Sequence, residues 1–399
     1  MLEQHFTRYL EGLKRDRQIP LSLELWDGSQ FSLADSPRVH LKVKSAACAR
    51  LLMKPTLANL AEAYIEGAID VEGPIGEVVA VADQLADFGG EAERRNGLPQ
   101  WLGRHSRSSD RKAIQYHYDV SNDFYSQWLD PRMVYSCAYF RTGTEDLATA
   151  QHDKLDLICR KLKLLPEERL LDIGCGWGAM VIHAASKYGV RAVGVTLSEK
   201  QHALARERVR EAGLEDRVEI RLQDYRDIKD GPYDKISSIG MFEHVGLKNL
   251  PTYFASVNRL LKPAGLFLNH GITHEEDGWG QALSSKFINR YVFPDGELDR
   301  ASNVMRVMEQ QQFELQDVEA LRMHYAKTLR AWVAKLEEGH EQALQYVDEA
   351  HYRIWRLYMA ASALEFETGE LGLYQILASK RDGGPAPVPL TRRYMYEVR

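Results

Sequence analysis

Cysteine is scarce in this chain of 399 residues: Cys48, Cys137, Cys159 and Cys175 are the full set, and no two form a C-x-x-C pair. That pattern excludes a disulfide framework and a zinc ribbon, suits a reducing compartment, and leaves Cys137 as an expected free thiol. No metal site is expected. Long apolar runs are missing too. No stretch approaches the roughly 20 residues that a spanning helix needs, so no membrane-integral protein is expected. The opening residues, MLEQHFTRYLEGLKRDR, are amphipathic and charged where a secretory signal has a continuous apolar core. The chain is therefore expected in the cytoplasm. An excess of positive charge is also absent, the formal net charge being -6, and this removes any general case for a nucleic-acid partner.

What is present is the composition of a globular protein with more than one core: 44% apolar, 27% charged and 10% aromatic residues. Residues 1–86 read as a small α+β domain. LSLELWDGSQFSL is a two-strand pattern around an Asp27-Gly28 turn, RVHLKV is another strand, and TLANLAEAYIEGAID has helical spacing that ends at Gly67. Residues 87–113 are rich in Gly, Ser and Arg and read as a linker. Arg94, Arg95, Arg104, Arg107, Arg111 and Lys112 surround Trp101 there. Such a segment is either a solvated connector or a rider on an anionic lipid surface, at about 1 kcal/mol per basic residue.

From residue 165 the rhythm becomes strand, helix, strand. ERLLDIG, VRAVGVTLS, RVEIRLQDY, YDKISSIGMF and AGLFLNHGI are β-rich runs separated by helical stretches, the pattern of a doubly wound α/β sheet with ligands at the carboxyl ends of its strands. Residues 280–399 read as helix-rich, with GGPAPVP at 383–389 as an extended tail. The first strand of this series enters Asp172-x-Gly174-x-Gly176-x-Gly178, a turn whose glycines let the backbone approach a ligand in front of a helix amino end. A dinucleotide site has G-x-G-x-x-G and a carboxylate at the tip of the second strand. Here the second strand ends GVTLS, so NAD is disfavoured.

DIGCGWG resembles the first motif of the class I S-adenosylmethionine-dependent methyltransferases. In that fold an acidic residue after a later strand meets adenine, and Asp224 is placed for this, with a plain turn cap as its other reading. The resemblance then narrows. QYHYDVSNDFY, MVYSCAYF, LDIGCGWG, GVTLSEKQ, LQDYRD, GMFEHVG, NHGI and HYAKTL follow the order and spacing of the cyclopropane fatty acid synthases and the mycolic-acid cyclopropane synthases over residues 115 to about 380. AEAYIEGAIDVEG resembles the small extra domain of the bacterial phospholipid enzymes.

The resemblance implies a class I methyltransferase sheet with helical lipid-binding insertions over residues 114–399. It implies an enzyme that adds a methylene group from S-adenosylmethionine across a cis double bond in an unsaturated phospholipid, at the inner face of the membrane. It also implies a bound bicarbonate as base, held by Cys137, Glu243, His270, the backbone of Ile272, and Tyr325. A small anion suits imidazole, phenol and N–H donors, while Glu243 accepts the bicarbonate O–H. Singly, each residue has a plainer reading: His270 as a turn residue, Glu243 as a helix cap, Tyr325 as a buried ring. Tyr135, Ser136, Asp172, Gly174, Gly176, Thr196, Gln201, Asp224 and Tyr225 are implied for the cofactor and Tyr118 for the lipid channel. Family members are often dimers, so a homodimer is a further expectation. One departure stands out. AASALEFE puts Ser362 and Glu367 where relatives usually have Cys and Arg, and relatives with this core can leave a methyl or methylene branch instead of a ring.

Overall fold

The computed structural model describes residues 2–16, 18–88, 121–275 and 297–397. The linker residues Arg94, Arg95, Trp101, Arg104, Arg107, Arg111 and Lys112, and Tyr118, lie outside them. The chain divides into two compact units, one of Met1–Leu102, Gly280–Val292 and Val333–Glu365, the other of Gly103–Trp279, Phe293–Trp332 and Phe366–Arg399.

In the first unit the described elements in chain order are α1 (Leu2–Asp16), β1 (Leu21–Glu24), β2 (Gln30–Ser32), β3 (Val39–Val43), α2 (Ala46–Leu52), α3 (Leu57–Ile65), β4 (Ile69–Glu72) and α4 (Ile75–Phe88). The expected hairpin is there: β1 pairs antiparallel with β2, Gly28 has φ +84°, and Ser29 N donates to Asp27 Oδ1 at 2.9 Å. The strands form a sheet of order β2-β1-β3-β4. Phe6, Leu10, Leu21, Leu41, Leu60 and Ile69 are among its buried residues. The expected division ran in chain order, whereas Val333–Glu365 groups with this unit. Polar contacts of two arginines account for that. Arg353 donates to Tyr64 O and Asp70 Oδ1, each at 2.8 Å, and Arg356 donates to the Tyr64 hydroxyl at 2.8 Å.

The second unit holds α5 (Asn122–Trp128), α6 (Leu147–Lys161), β5 (Arg169–Ile173), α7 (Ala179–Tyr188), β6 (Arg191–Thr196), α8 (Glu199–Glu211), β7 (Val218–Leu222), β8 (Tyr233–Ile239), α9 (Leu250–Leu260), β9 (Leu261–His274), α10 (Ala301–Gln310) and β10 (Phe313–Ala320). After these come α11 (Arg322–Glu338), α12 (His340–Ala343), α13 (Glu349–Thr368), β11 (Leu371–Lys380) and α14 (Arg393–Tyr396), of which Val333–Glu365 belongs to the first unit. The sheet order is β10-β11-β9-β8-β5-β6-β7. From β9 to β7 every pairing is parallel, while β11 runs antiparallel to both β9 and β10.

Successive side chains of a strand face opposite sides of a sheet. Leu170 accordingly joins one core with residues of α6, α7 and α8, and Leu171 the other with residues of α9 and α10. This is the expected doubly wound α/β core. The antiparallel pair β10 and β11 departs from the helix-rich reading of residues 280–399. The pairing of FELQDVEA with LGLYQILASK spans a sequence separation that no local pattern reveals. The 383–389 tail is free of helix as expected, with Pro387 O accepting from Lys163 Nζ at 2.9 Å.

Candidate active site

Strand ends build a cleft. β5 ends at Ile173, and Gly174, Gly176 and Gly178 turn the chain at φ +84°, +53° and +84° into α7. A side chain at Gly174 is doubly disfavoured, because a Cβ there would come within 3.0 Å of Met241 Cγ. Gly174 N and Cys175 N both donate to Val195 O at 3.0 Å, which ties the turn to β6. At the end of β6, Thr196 Oγ1 donates to Gln201 Oε1 at 2.8 Å while Ser198 Oγ caps α8. That bond uses the Gln201 oxygen and leaves its amide N–H groups as donors. After β7, Asp224 accepts from Arg226 N at 2.9 Å and pairs with Arg226 Nη2 at 2.6 Å. Asp224 therefore both caps a turn and lines the cleft. Tyr225 packs edge-on against Tyr253 at 5.3 Å.

The implied cofactor residues Tyr135, Ser136, Asp172, Gly174, Gly176, Thr196, Gln201, Asp224 and Tyr225 all line this one cleft. Asp172 is buried, accepts from Ser237 Oγ at 2.7 Å, and is raised to about 6 by burial against the opposing pull of that bond and of the Lys154 charge. Sequence reasoning missed Lys154, Trp177 and Met241, which line the cleft as well. For Lys154 a signal existed: a lysine beside Leu155 on the apolar face of an amphipathic helix.

The second cluster adjoins the first through β8 and β9. Gly240 N donates to His270 O at 2.8 Å, and the short turn Phe242–His244 lays Glu243 over β9. Ile272 N donates to Glu243 Oε1 at 2.7 Å. The Ile272 N–H, expected to face an anion, is thus given to Glu243. Leu321 ties in the others: its N–H donates to Leu373 O, paired with Ile272 across β11 and β9, while its carbonyl accepts from Tyr325 N at 3.1 Å and from the Cys137 thiol at 3.9 Å.

His270 is 1% exposed, and burial drives its pKa far below the ordinary value, so the ring is neutral. Its Nδ1 faces the Gln375 amide nitrogen at 3.2 Å, directly across the β9–β11 pairing. With Nδ1 accepting, Nε2 carries the hydrogen. Nε2 and Glu243 Oε2 are buried and have no partner among the described residues. Burial raises Glu243 to about 7, against the lowering effect of the Ile272 N–H. A donor on His270 of β9 and an acceptor on Glu243 of the turn after β8 thus stand unmatched among the described residues.

Cys137 is fully buried, and burial holds its thiol far above the ordinary range even though the Lys154 charge pulls the other way. A thiolate nucleophile is excluded on that ground. Its neighbours hold the segment: Ala138 N donates to Thr328 Oγ1 and Phe140 N to His324 Nδ1, each at 3.0 Å. Cys137→Ser is accordingly expected to slow turnover less than tenfold in a steady-state assay, whereas complete loss would point to a covalent role for the thiol.

Rings join the two clusters. Trp177 lies 5.1 Å from Tyr125, Tyr125 5.6 Å from Tyr135, Tyr135 5.3 Å from Trp332, Trp332 6.0 Å from Tyr325, and Tyr325 4.8 Å from Phe366. Of these rings Tyr135 and Trp177 line the cleft, and since aromatic faces stabilise cations they suit a reaction that passes through positive charge. Glu367 has its own cation: Arg330 donates to both of its oxygens, at 2.9 and 2.7 Å. Ser362 is buried.

Residues 105–376 match the family described as mycolic acid cyclopropane synthetase, and residues 8–88 match a domain family of unknown function. The chain is 45% identical over 384 residues to a probable fatty acid methyltransferase of Pseudomonas putida, covering 95% of this chain and 96% of that one. It is 41% identical over 386 residues to the cyclopropane-fatty-acyl-phospholipid synthase of Escherichia coli K12, covering 92% and 94%. Among solved structures it is similar to mycolic acid cyclopropane synthase CmaA1 complexed with SAH and CTAB, at 35% identity and a TM-score of 0.64, over 68% of this chain and 98% of that one. With the sheet order of the class I methyltransferases and the cyclopropane-synthase motifs gathered at its strand ends, the chain belongs to the mycolic acid cyclopropane synthetase family.

Proposed function

We propose that the protein transfers a methylene group from S-adenosylmethionine to the cis double bond of an unsaturated phospholipid acyl chain, closing a cyclopropane ring, from the cytoplasmic face of the membrane. The observation that carries this reading is that Glu243 Oε2, on the turn after β8, and His270 Nε2, on β9, are both buried and unmatched among the described residues. Simple methylation of an amine or hydroxyl needs no such pair behind the cofactor.

An isolated alkene is a poor nucleophile, so the chain's contribution is alignment in a dry pocket. Transfer leaves positive charge on the acyl chain, and the rings of Tyr135, Trp332 and Tyr325 face that charge better than water-exposed groups would. Ring closure requires loss of a proton from the carbon just delivered, the C–H electron pair forming the last C–C bond. Bicarbonate fits the unmatched pair: an acceptor, Glu243 Oε2, for its O–H, and a donor, His270 Nε2, for its oxygen. When bound, the sulfonium supplies the methyl group and bicarbonate the base. Cys137 and Tyr325 complete the wall. A neutral His270 holds the anion without lowering its basicity as an arginine would.

A second product is favoured by the name of the P. putida relative and by the departure at Glu367, which is paired with Arg330 here. In that reading the carbocation loses a proton elsewhere and leaves a branched chain. Labelled S-adenosylmethionine, bicarbonate and vesicles of unsaturated phospholipid separate the two. The expected result is high-field cyclopropane protons in the recovered acyl esters with a mass gain of one CH₂ per chain. Vinylidene protons without ring protons would replace the ring reading by the branched one.

A further inference from the structure

Lys154 is a buried cation without a counter-ion in contact among the described residues. It lies in α6, is 1% exposed, and no carboxylate stands within ion-pair distance of it among the described residues. Asp130 of the preceding loop, Asp172 of β5 and Cys137 face it, and its charge reaches His270 of β9. Burial brings it down to about 8, which leaves it charged at neutral pH. A buried charge is costly, and among the described residues no ion pair in contact offsets that cost, which Asp130 and Asp172 offset only at longer range.

Its hydrogen bond defines its role. Lys154 Nζ donates to Ser136 Oγ at 2.8 Å. An ammonium has three donors and no acceptor, so the Ser136 oxygen must be the acceptor of that bond. The single Ser136 hydrogen is therefore turned away from Lys154. Ser136 lines the cofactor cleft, and its carbonyl is pinned by Gln151 Nε2 at 2.8 Å, so the residue does not rotate as a unit.

We propose that Lys154 is a positioning residue that makes the Ser136 hydroxyl a one-way donor into the cleft, and so selects the carboxylate end of an amino-acid-bearing cofactor. The proposal deepens the cofactor reading above and rests on it. The ammonium polarises the hydroxyl it bonds, and its charge favours an anion on the far side of that hydroxyl. Lys154 acts through Ser136, without touching the reacting atoms.

The test is calorimetric binding of two probes to the full chain: S-adenosylhomocysteine, and its decarboxylated form, which keeps the amine and lacks only the carboxylate. In Lys154→Met the affinity for S-adenosylhomocysteine is expected to fall about tenfold, the size of one charge-assisted hydrogen bond. Affinity for the decarboxylated probe is expected to change less than twofold. Ser136→Ala should give the same split, Ser136→Thr should retain wild-type discrimination, and the double variant Lys154→Met with Ser136→Ala should be no weaker than either single one. Equal losses for both probes in both variants would reduce Lys154 to a packing role and overturn the proposal. If Lys154→Met fails to fold, the Ser136 variants decide alone, since they leave the lysine in place. A wild-type protein that binds neither probe would overturn the cofactor reading itself, a result distinct from loss of discrimination.

Discussion

Glu243→Gln is expected to lower turnover by about 10²- to 10⁴-fold, the range spanned by positioned acid–base groups, with the affinity for S-adenosylhomocysteine unchanged. The variant keeps an oxygen for the Ile272 N–H, which Glu243 accepts at 2.7 Å, so the turn itself is preserved. What is lost is the anionic acceptor to which the proposed mechanism assigns the bicarbonate O–H. The wild-type rate should rise with pH through about 7, because Glu243 must be ionised to accept, and the residual rate of the variant should lack that limb. Stability should move the other way. The folded carboxyl titrates near 7 against an ordinary 4.5. Below pH 4.5 it is neutral in both states and carries no penalty. Between these values the unfolded chain ionises first and the fold loses stability, by on the order of 3 kcal/mol once pH exceeds 7. The glutamine escapes this loss, so its melting temperature should exceed that of wild type at pH 8 and the gap should narrow at pH 5. A variant with wild-type turnover would remove Glu243 from the chemistry.

Gly271→Ala should cost both folding and activity. A Cβ at this position would overlap the Phe242 ring outright and come within 3.0 Å of Glu243 Oε1. The backbone here is an ordinary strand paired on both sides, β8 and β11, so β9 cannot retreat. The turn carrying Phe242 and Glu243 must move instead. Overpacking of this kind costs about 1–3 kcal/mol, occasionally more, and a shift of the carboxylate by an ångström is enough to lower turnover a further hundredfold. Urea denaturation measures the first and the vesicle assay the second. Adding Phe242→Ala makes room, and the double variant should recover part of the stability, which is the signature of coupled neighbours. If Gly271→Ala lay within 0.5 kcal/mol of wild type, the ring would have to be free to swing aside.

The parts of this site that were legible are those written in short segments. Gly174 and Gly176 lie in one turn, Thr196 and Gln201 in one strand end and the following helix, and Asp224 after the next strand, and all of them meet in the cleft. Lys154 left only a faint mark, its place on the apolar face of α6, because a lysine among helical residues otherwise reads as a solvated charge until packing against the sheet buries it. Gln375 was invisible for another reason. Its meaning lies in the register that sets it opposite His270, 105 residues away, inside a strand that the helix-rich reading overlooked. The ring chain from Trp177 to Phe366 is likewise a product of tertiary packing, since Tyr135 and Trp332 come from segments joined by no local pattern.

The sheet order carries a consequence for how the protein comes to life on the ribosome. β11 is the last of the described strands to be synthesised, yet it lies between β10 and β9 rather than at an edge. The cleft formed by β5, β6 and β7 can assemble once residues up to 245 have emerged, since its lining runs no further and these strands pair only with one another and with β8. His270 must wait for Gln375, which alone sets the protonated nitrogen of its ring. A nascent chain can therefore complete its cofactor cleft before the partner that orients the His270 ring has been made.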